Sequence, residues 1–178
     1  MRDVVLISGP PASGKSTLAR PLAAALGFAL LTKDDVKESL FSSLGAPPGD
    51  VEFSRRLSDA AIDMLWGLAP HCPQVVLEAN FPTQNPDQRR RAAAVLAQPG
   101  VAAVEIHCRL PLEEAARRFS ARALAGRHAA HALQEMSLEG LAKYAEPFAL
   151  TTVIEVDTLQ PVDLQALISR IREALDLR

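Results

Sequence analysis

Near the start of the chain, one stretch limits what the rest can fold into. Gly9-Pro10-Pro11-Ala12-Ser13-Gly14-Lys15-Ser16 matches the spacing G-x-x-x-x-G-K-[ST] without a mismatch. It follows the short apolar run Val4 to Ser8. It precedes Lys15 to Leu26, where Leu18, Leu22, Ala25 and Leu26 recur at helical spacing before a stop at Gly27. Glycine at both ends of the loop lets successive backbone N–H groups turn inward, and the helix that follows adds the positive end of its dipole. Such a loop works only at the junction of a buried strand and a helix. The chain is therefore expected to build a parallel sheet covered by helices.

The remaining pattern agrees. Short apolar runs at Phe28 to Leu31, Val75 to Leu77, Val101 to His107 and Thr152 to Val156 read as four more strands. Between them lie helical stretches at Asp34 to Leu44, Val51 to Leu68, Pro86 to Gln98, Pro111 to about Ala125 and Val162 to Leu177. The expected fold is α/β, with a five-stranded parallel sheet, helices on both faces and right-handed crossovers. At 178 residues this is one domain, residues 1–178. The stretch from Pro111 to Pro147 has no strand and is the expected place for a helical lid, residues 111–147.

Composition removes several classes. A net charge of −2 and an aromatic content of 4% argue against a nucleic-acid binder with a basic face or a base-stacking platform. Cys72 and Cys108 have no C-x-x-C spacing and make no disulfide framework, which fits a reducing, cytoplasmic setting. No apolar run reaches the length of a membrane span, and no targeting segment is visible. His128, His131 and Cys108 match no zinc spacing.

The chemistry sits at strand ends. Lys15 is placed for the β- and γ-phosphates of a bound nucleotide, and the Ser16 hydroxyl for Mg²⁺. Asp34 and Asp35 follow the second strand; they can serve as a helix cap or, in the case of Asp34, take the proton of an attacking hydroxyl. Glu78 ends the third strand, either near a metal-bound water or as a cap, with Asn80 and Phe81 after it. Arg118 and Arg122 are four residues apart on one helix face, where like charges repel unless a polyphosphate lies against them. Arg117 is expected to face solvent. Arg89-Arg90-Arg91 is expected to be a solvated surface.

Together these segments resemble the small P-loop kinases, a group that includes polynucleotide 5′-kinase domains, gluconate-kinase-like enzymes, chloramphenicol phosphotransferase and zeta toxins, many of them labelled AAA-domain ATPases. The resemblance implies ATP and Mg²⁺, with the nucleotide on Gly9, Pro10, Pro11, Ala12, Ser13, Gly14, Lys15, Ser16 and Thr17. It implies Lys15 and Asp34 as catalytic residues, with Lys37 where polynucleotide kinases carry the Arg of Asp-Asp-x-Arg. Arg118, Arg122 and Arg127 would be lid arginines over the phosphates. Ser16 and Glu78 would serve the metal, and Asp34, Lys37, Asn80 and Phe81 the acceptor. The adenine would pack near Asp157 and Thr158. The expected activity is transfer of the γ-phosphoryl group to a hydroxyl of a small molecule, by a monomer or homodimer. A polynucleotide 5′-kinase and a nucleotide-dependent switch with a protein partner are the alternatives.

Overall fold

A computed structural model describes residues 1–45, 47–126, 128–133 and 135–177. The elements run β1 (Arg2–Ser8), α1 (Lys15–Leu26), β2 (Ala29–Thr32), α2 (Lys33–Leu44), α3 (Val51–Leu68), β3 (Gln74–Glu78), α4 (Pro86–Leu96), β4 (Val101–Arg109), α5 (Leu112–Leu124), α6 (Leu138–Ala142), β5 (Thr152–Asp157) and α7 (Leu164–Ala174). The five strands form one parallel sheet in the order β2-β3-β1-β4-β5. The expected strands are all present within a residue or two. The differences lie at helix ends: α2 starts at Lys33, Pro111 caps α5 instead of opening it, and the short α6 lay unseen in the sequence.

Side chains of β1 alternate between two cores, as strand geometry requires. Val5 and Ile7 face α1 and α7, among Leu18, Leu22, Leu167 and Ile171. Val4 and Leu6 face the opposite layer, among Ile62, Leu65, Trp66 and Phe148. Polar caps set the helix starts: Thr32 accepts from the Asp35 N–H, Asp50 from Phe53, and Asn85 from Asp87 and Gln88.

Register decides where the chemistry emerges. Thr32 is level with Glu78, Glu78 with Ile7, and Ser8 with His107. The residues that follow β1, β2 and β3 thus leave the sheet along one edge, the carboxyl edge where α/β folds bind ligands.

A buried polar cluster fixes the segment between α6 and β5 to this edge. Glu105 is fully buried; its carboxylate accepts the backbone N–H groups of Phe148 at 2.8 Å and Ala149 at 2.7 Å, and the Ser8 hydroxyl. His107 Nδ1 lies 2.8 Å from that hydroxyl, and its Nε2 donates to the Ala145 carbonyl at 2.8 Å. Ala149 holds a left-handed φ of 52° to aim its N–H at Glu105. Arg89 departs from the expected solvated surface. The helix turns it toward this segment, where it donates to the Phe148 carbonyl and lies over the Phe148 ring. Its neighbours Arg90 and Arg91 pair with Asp87 and Asp63.

Phe148 is fully buried and stacks against Phe81 and Trp66, with ring centroids 5.5 and 6.4 Å away. Phe148→Ala is expected to destabilise the fold by about 3–5 kcal/mol. Urea unfolding followed by tryptophan fluorescence checks this; a loss below about 1 kcal/mol would show that this aromatic cluster is not a structural core.

Candidate active site

The phosphate-binding loop joins β1 to α1. Its first glycine has φ 133° and its second, Gly14, φ 86°. Ala12 also takes a left-handed φ, 64°, as the loop winds back on itself. The Lys15 ammonium is nearly closed off from solvent and donates to the Pro10 carbonyl at 2.7 Å. Burial pulls its pKa down, and Glu78 opposes that.

Ser16 donates to Glu78 Oε2 at 3.0 Å. Glu78 thus reaches across to the start of α1. Burial pushes its pKa up, against the pull of Lys15. Two hard oxygen donors side by side, one a buried carboxylate seeking positive charge, fit Mg²⁺.

Asp34 is not a helix cap, because Thr32 fills that place. It sits in the first turn of α2, with Lys33 Nζ 3.0 Å from its Oδ1. Burial pushes this carboxyl up, but Lys33, His131 and Lys15 outweigh burial and hold it well below the usual carboxylate range. Lys33 also donates to Asn80 Oδ1 at 2.8 Å. Asp35 is exposed and pairs with Arg20. Lys37 is buried and donates to the Ser54 hydroxyl at 2.8 Å.

Lys15, Ser16, Lys33, Asp34, Lys37, Glu78 and Asn80 line one cavity of about 700 Å³. Pro11, Ala12, Gly14 and Thr17 complete its phosphate-loop side, and Ser54, Ser58, Asp59 and Ile62 of α3 form a facing wall. Arg118 and Arg122 of α5 line it as well. Arg118 is tied to Glu114 at 2.7 Å and donates to the Thr158 carbonyl. Arg117 is exposed, as expected, and pairs with the same glutamate. Hydrogen bonds from Arg117 and then Arg118 pull Glu114 down to about 2. Arg127 lies outside the described residues.

Phe81 corrects the sequence reading. It is 2% exposed and packs between Trp66 and Phe148, away from the cavity. Residues 77, 79 and 81 keep the alternation of β3 and point into the same core, which takes the ring out of reach of an acceptor. Asp157 and Thr158 are not among the cavity's lining residues. Asp157 is exposed and accepts the Leu159 N–H, while Thr158 lies beside Gly14 and its hydroxyl donates to the Arg109 carbonyl. Lys33 is the site residue the sequence reading missed. A lysine next to an aspartate at a strand end reads as a surface pair.

Residues 4–147 match the family model described as AAA domain. The chain belongs to this family. It is 34% identical over 125 residues to a cytidylate kinase of Ignicoccus hospitalis, a match spanning 67% of this chain and 64% of that one. The chain thus spans just under two thirds of the length of that curated relative. A crystal structure of a candidate kinase from Chloroflexus aurantiacus superposes with a TM-score of 0.81 at 28% identity, covering 98% of both chains. A gluconokinase from Sinorhizobium meliloti, 19% identical, shares the fold with a TM-score of 0.59, over 99% of this chain and 94% of its own. No helix among the described residues is long and apolar enough to cross a membrane.

Cys108 lies at the floor of the loop, fully buried, with its thiol pushed up to about 12 by burial. Its burial keeps it protonated and shielded from reagents near neutral pH, whereas Cys72 is partly exposed. Labelling with a thiol reagent at pH 8 is expected to modify one cysteine in the folded protein and both in denaturant. Rapid labelling of two would contradict the packing under the loop.

Proposed function

We propose that this kinase moves the γ-phosphoryl group of ATP to a hydroxyl of a small acceptor of low charge, as a monomer or homodimer in the cytoplasm. The observation that carries this reading is that Lys15 and the Asp34 carboxylate line one cavity, each within the electrostatic field of the other. The phosphate loop, residues 9–17, takes the nucleotide phosphates, and the turn at Asp157 and Thr158 lies near the adenine. The acceptor hydroxyl oxygen bonds to the γ-phosphorus as the bond from that phosphorus to the bridging oxygen breaks, and ADP leaves. Asp34 orients the hydroxyl and receives its proton. Ser16 and Glu78 would hold Mg²⁺, which neutralises phosphate charge when bound.

Residues 111–147 act as the lid. Arg122, with no partner among the described residues, and Arg118 turn their charge to the phosphates; Arg127 is expected to join them. Closure excludes water that would otherwise take the phosphoryl group.

The low charge of the acceptor follows from how the cavity's cations are engaged. Lys33 is paired with Asp34, Arg55 with Glu52, and Arg117 and Arg118 with Glu114. Asp59 adds a carboxylate to the acceptor wall, held up by burial and by Asp63. Lys37 is engaged with Ser54, and the Asn80 amide nitrogen, with no partner among the described residues, can meet a hydroxyl. This wall suits a polyol better than a phosphate track. The likeness to a cytidylate kinase favours one second reading, in which a nucleoside monophosphate offers a phosphate oxygen instead.

Lys15→Ala is expected to abolish phosphoryl transfer in a folded protein, and Asp34→Asn to lower turnover by roughly 10²-fold with ATP affinity little changed. Steady-state kinetics and nucleotide titration check both; parent-like transfer in either variant refutes the role assigned to that residue.

A screen with labelled ATP against sugars, aminoglycosides, nucleosides, CMP and a 5′-hydroxyl oligonucleotide identifies the acceptor class. A neutral or cationic polyol is expected to be labelled and the oligonucleotide not. Labelling of CMP alone selects the second reading, and efficient labelling of the oligonucleotide overturns the small-molecule reading.

A further inference from the structure

Asp34 is held by a neighbour whose position the phosphate-binding motif does not explain. Lys33 is 13% exposed, and its ammonium bridges two loops. It lies 3.0 Å from Asp34 Oδ1, at the start of α2, and donates to Asn80 Oδ1 at 2.8 Å, just past the end of β3. All three residues line the cavity. A lysine side chain has the freedom of four rotatable torsions to lose when it is fixed this way. Its contacts are divided between two strand ends whose parallel register already sets them side by side.

We propose that Lys33 is a positioning residue for phosphoryl transfer: it strings Asp34 to Asn80 so that one carboxylate oxygen is occupied and the other, Oδ2, is presented to the acceptor hydroxyl. The exposure of Asp34 supports the division of labour. Its Oδ1 is shut off from solvent and has the Lys33 ammonium in ion-pair contact but no hydrogen-bond partner among the described residues, yet the side chain as a whole is 34% exposed, which leaves Oδ2 and the methylene as the open part. An aspartate has two torsions and no intrinsic reason to keep one oxygen aimed at the cavity. The ammonium on Oδ1 supplies that reason, and Asn80 prevents the ammonium from following the carboxylate as it rotates. The same contact helps keep Asp34 ionised in spite of its burial. Asp34 then acts mainly by orientation, which suits transfer to a loose transition state in which the hydroxyl proton leaves late.

The inference rests on the reading of Asp34 as the acceptor's partner, and the test separates the two. The probe is hydrolysis of Mg·ATP with no acceptor added, so that water takes the acceptor's place. Lys33→Met is expected to lower kcat by about tenfold or more while KM for ATP stays within about twofold, and Lys33→Arg to recover most of the loss. In an Asp34→Asn background, Lys33→Met is expected to add no further loss, because a residue acting only through Asp34 has nothing left to position. Asn80→Ala, which leaves Asp34 and Lys33 in place, is expected to lower kcat in the same direction by a smaller factor. It keeps the test open should Lys33→Met unfold, as a thermal melt would show. A Lys33→Met loss that multiplies in full with that of Asp34→Asn, or one that falls on KM for ATP alone, overturns the proposal and leaves Asp34's role intact. An Asp34→Asn variant with unchanged kcat removes the reading itself.

Discussion

The nucleotide end of the fold depends on the missing side chain at Gly9. A Cβ there would come within 2.5 Å of the Cys108 carbonyl oxygen and 2.9 Å of the Ser13 hydroxyl. The carbonyl belongs to β4, which is locked in register between β1 and β5, so it cannot retreat. Any side chain would lift the loop off the sheet. Lys15 and Ser16, further along the loop and already committed to α1, would move with it. Close packing of backbone on backbone is thus what sets the height of the phosphate cradle above the strand ends. Everything that must reach the phosphates is measured from there.

The groups buried around that cradle alternate in charge. Lys15 faces Glu78, Asp34 faces Lys33, and each pair lies within the field of the other. A single buried charge at this depth would cost several kcal/mol or neutralise itself. Two cations and two anions held close together avoid that cost before any ligand arrives. The arrangement also bears on the acceptor. Because the ammonium of Lys33 is engaged with Asp34 and Asn80, its charge is not available to attract an anionic acceptor, and α3 adds Asp59 to the same side.

Much of this was legible in the sequence because it is local. The phosphate loop, the five strands and the helix at Val51 to Leu68 each show themselves within a window of a few turns. What was not legible depends on pairs far apart in the chain. Ser8 and Glu105 are 97 residues apart, and Lys33 and Asn80 are 47 apart. Signals for some of these existed. Glu105 and His107 are polar letters two apart in an otherwise apolar strand, which puts both on one face and calls for buried partners. Phe81 continues the alternation of Leu77 and Ala79, so its place in the core was readable as well. Lys33 offered no such signal, since nothing in its local sequence distinguishes a buried bridge from a surface ion pair.

The Ser8, Glu105 and His107 cluster places a limit on how the proposed lid can move. It ties the residue just before the phosphate loop to the return segment at Ala145, Phe148 and Ala149. Arg89 grips the same segment at the Phe148 carbonyl, and Thr83 holds the Lys143 carbonyl. Breaking these bonds would leave a fully buried carboxylate without its donors, a cost that exceeds what a surface helix gives up when it shifts. The carboxyl-terminal end of residues 111–147 therefore stays fixed to the sheet during closure. In the proposed closure movement would fall to α5, whose outer end carries Arg122, with no partner among the described residues, and an almost fully exposed Leu124. The fixed end is bonded through Glu105 to Ser8, the residue just before the phosphate loop, so the proposed lid and the cradle would share one anchor, and closure would have to bring the arginines of α5 toward the phosphates without disturbing the loop beneath them.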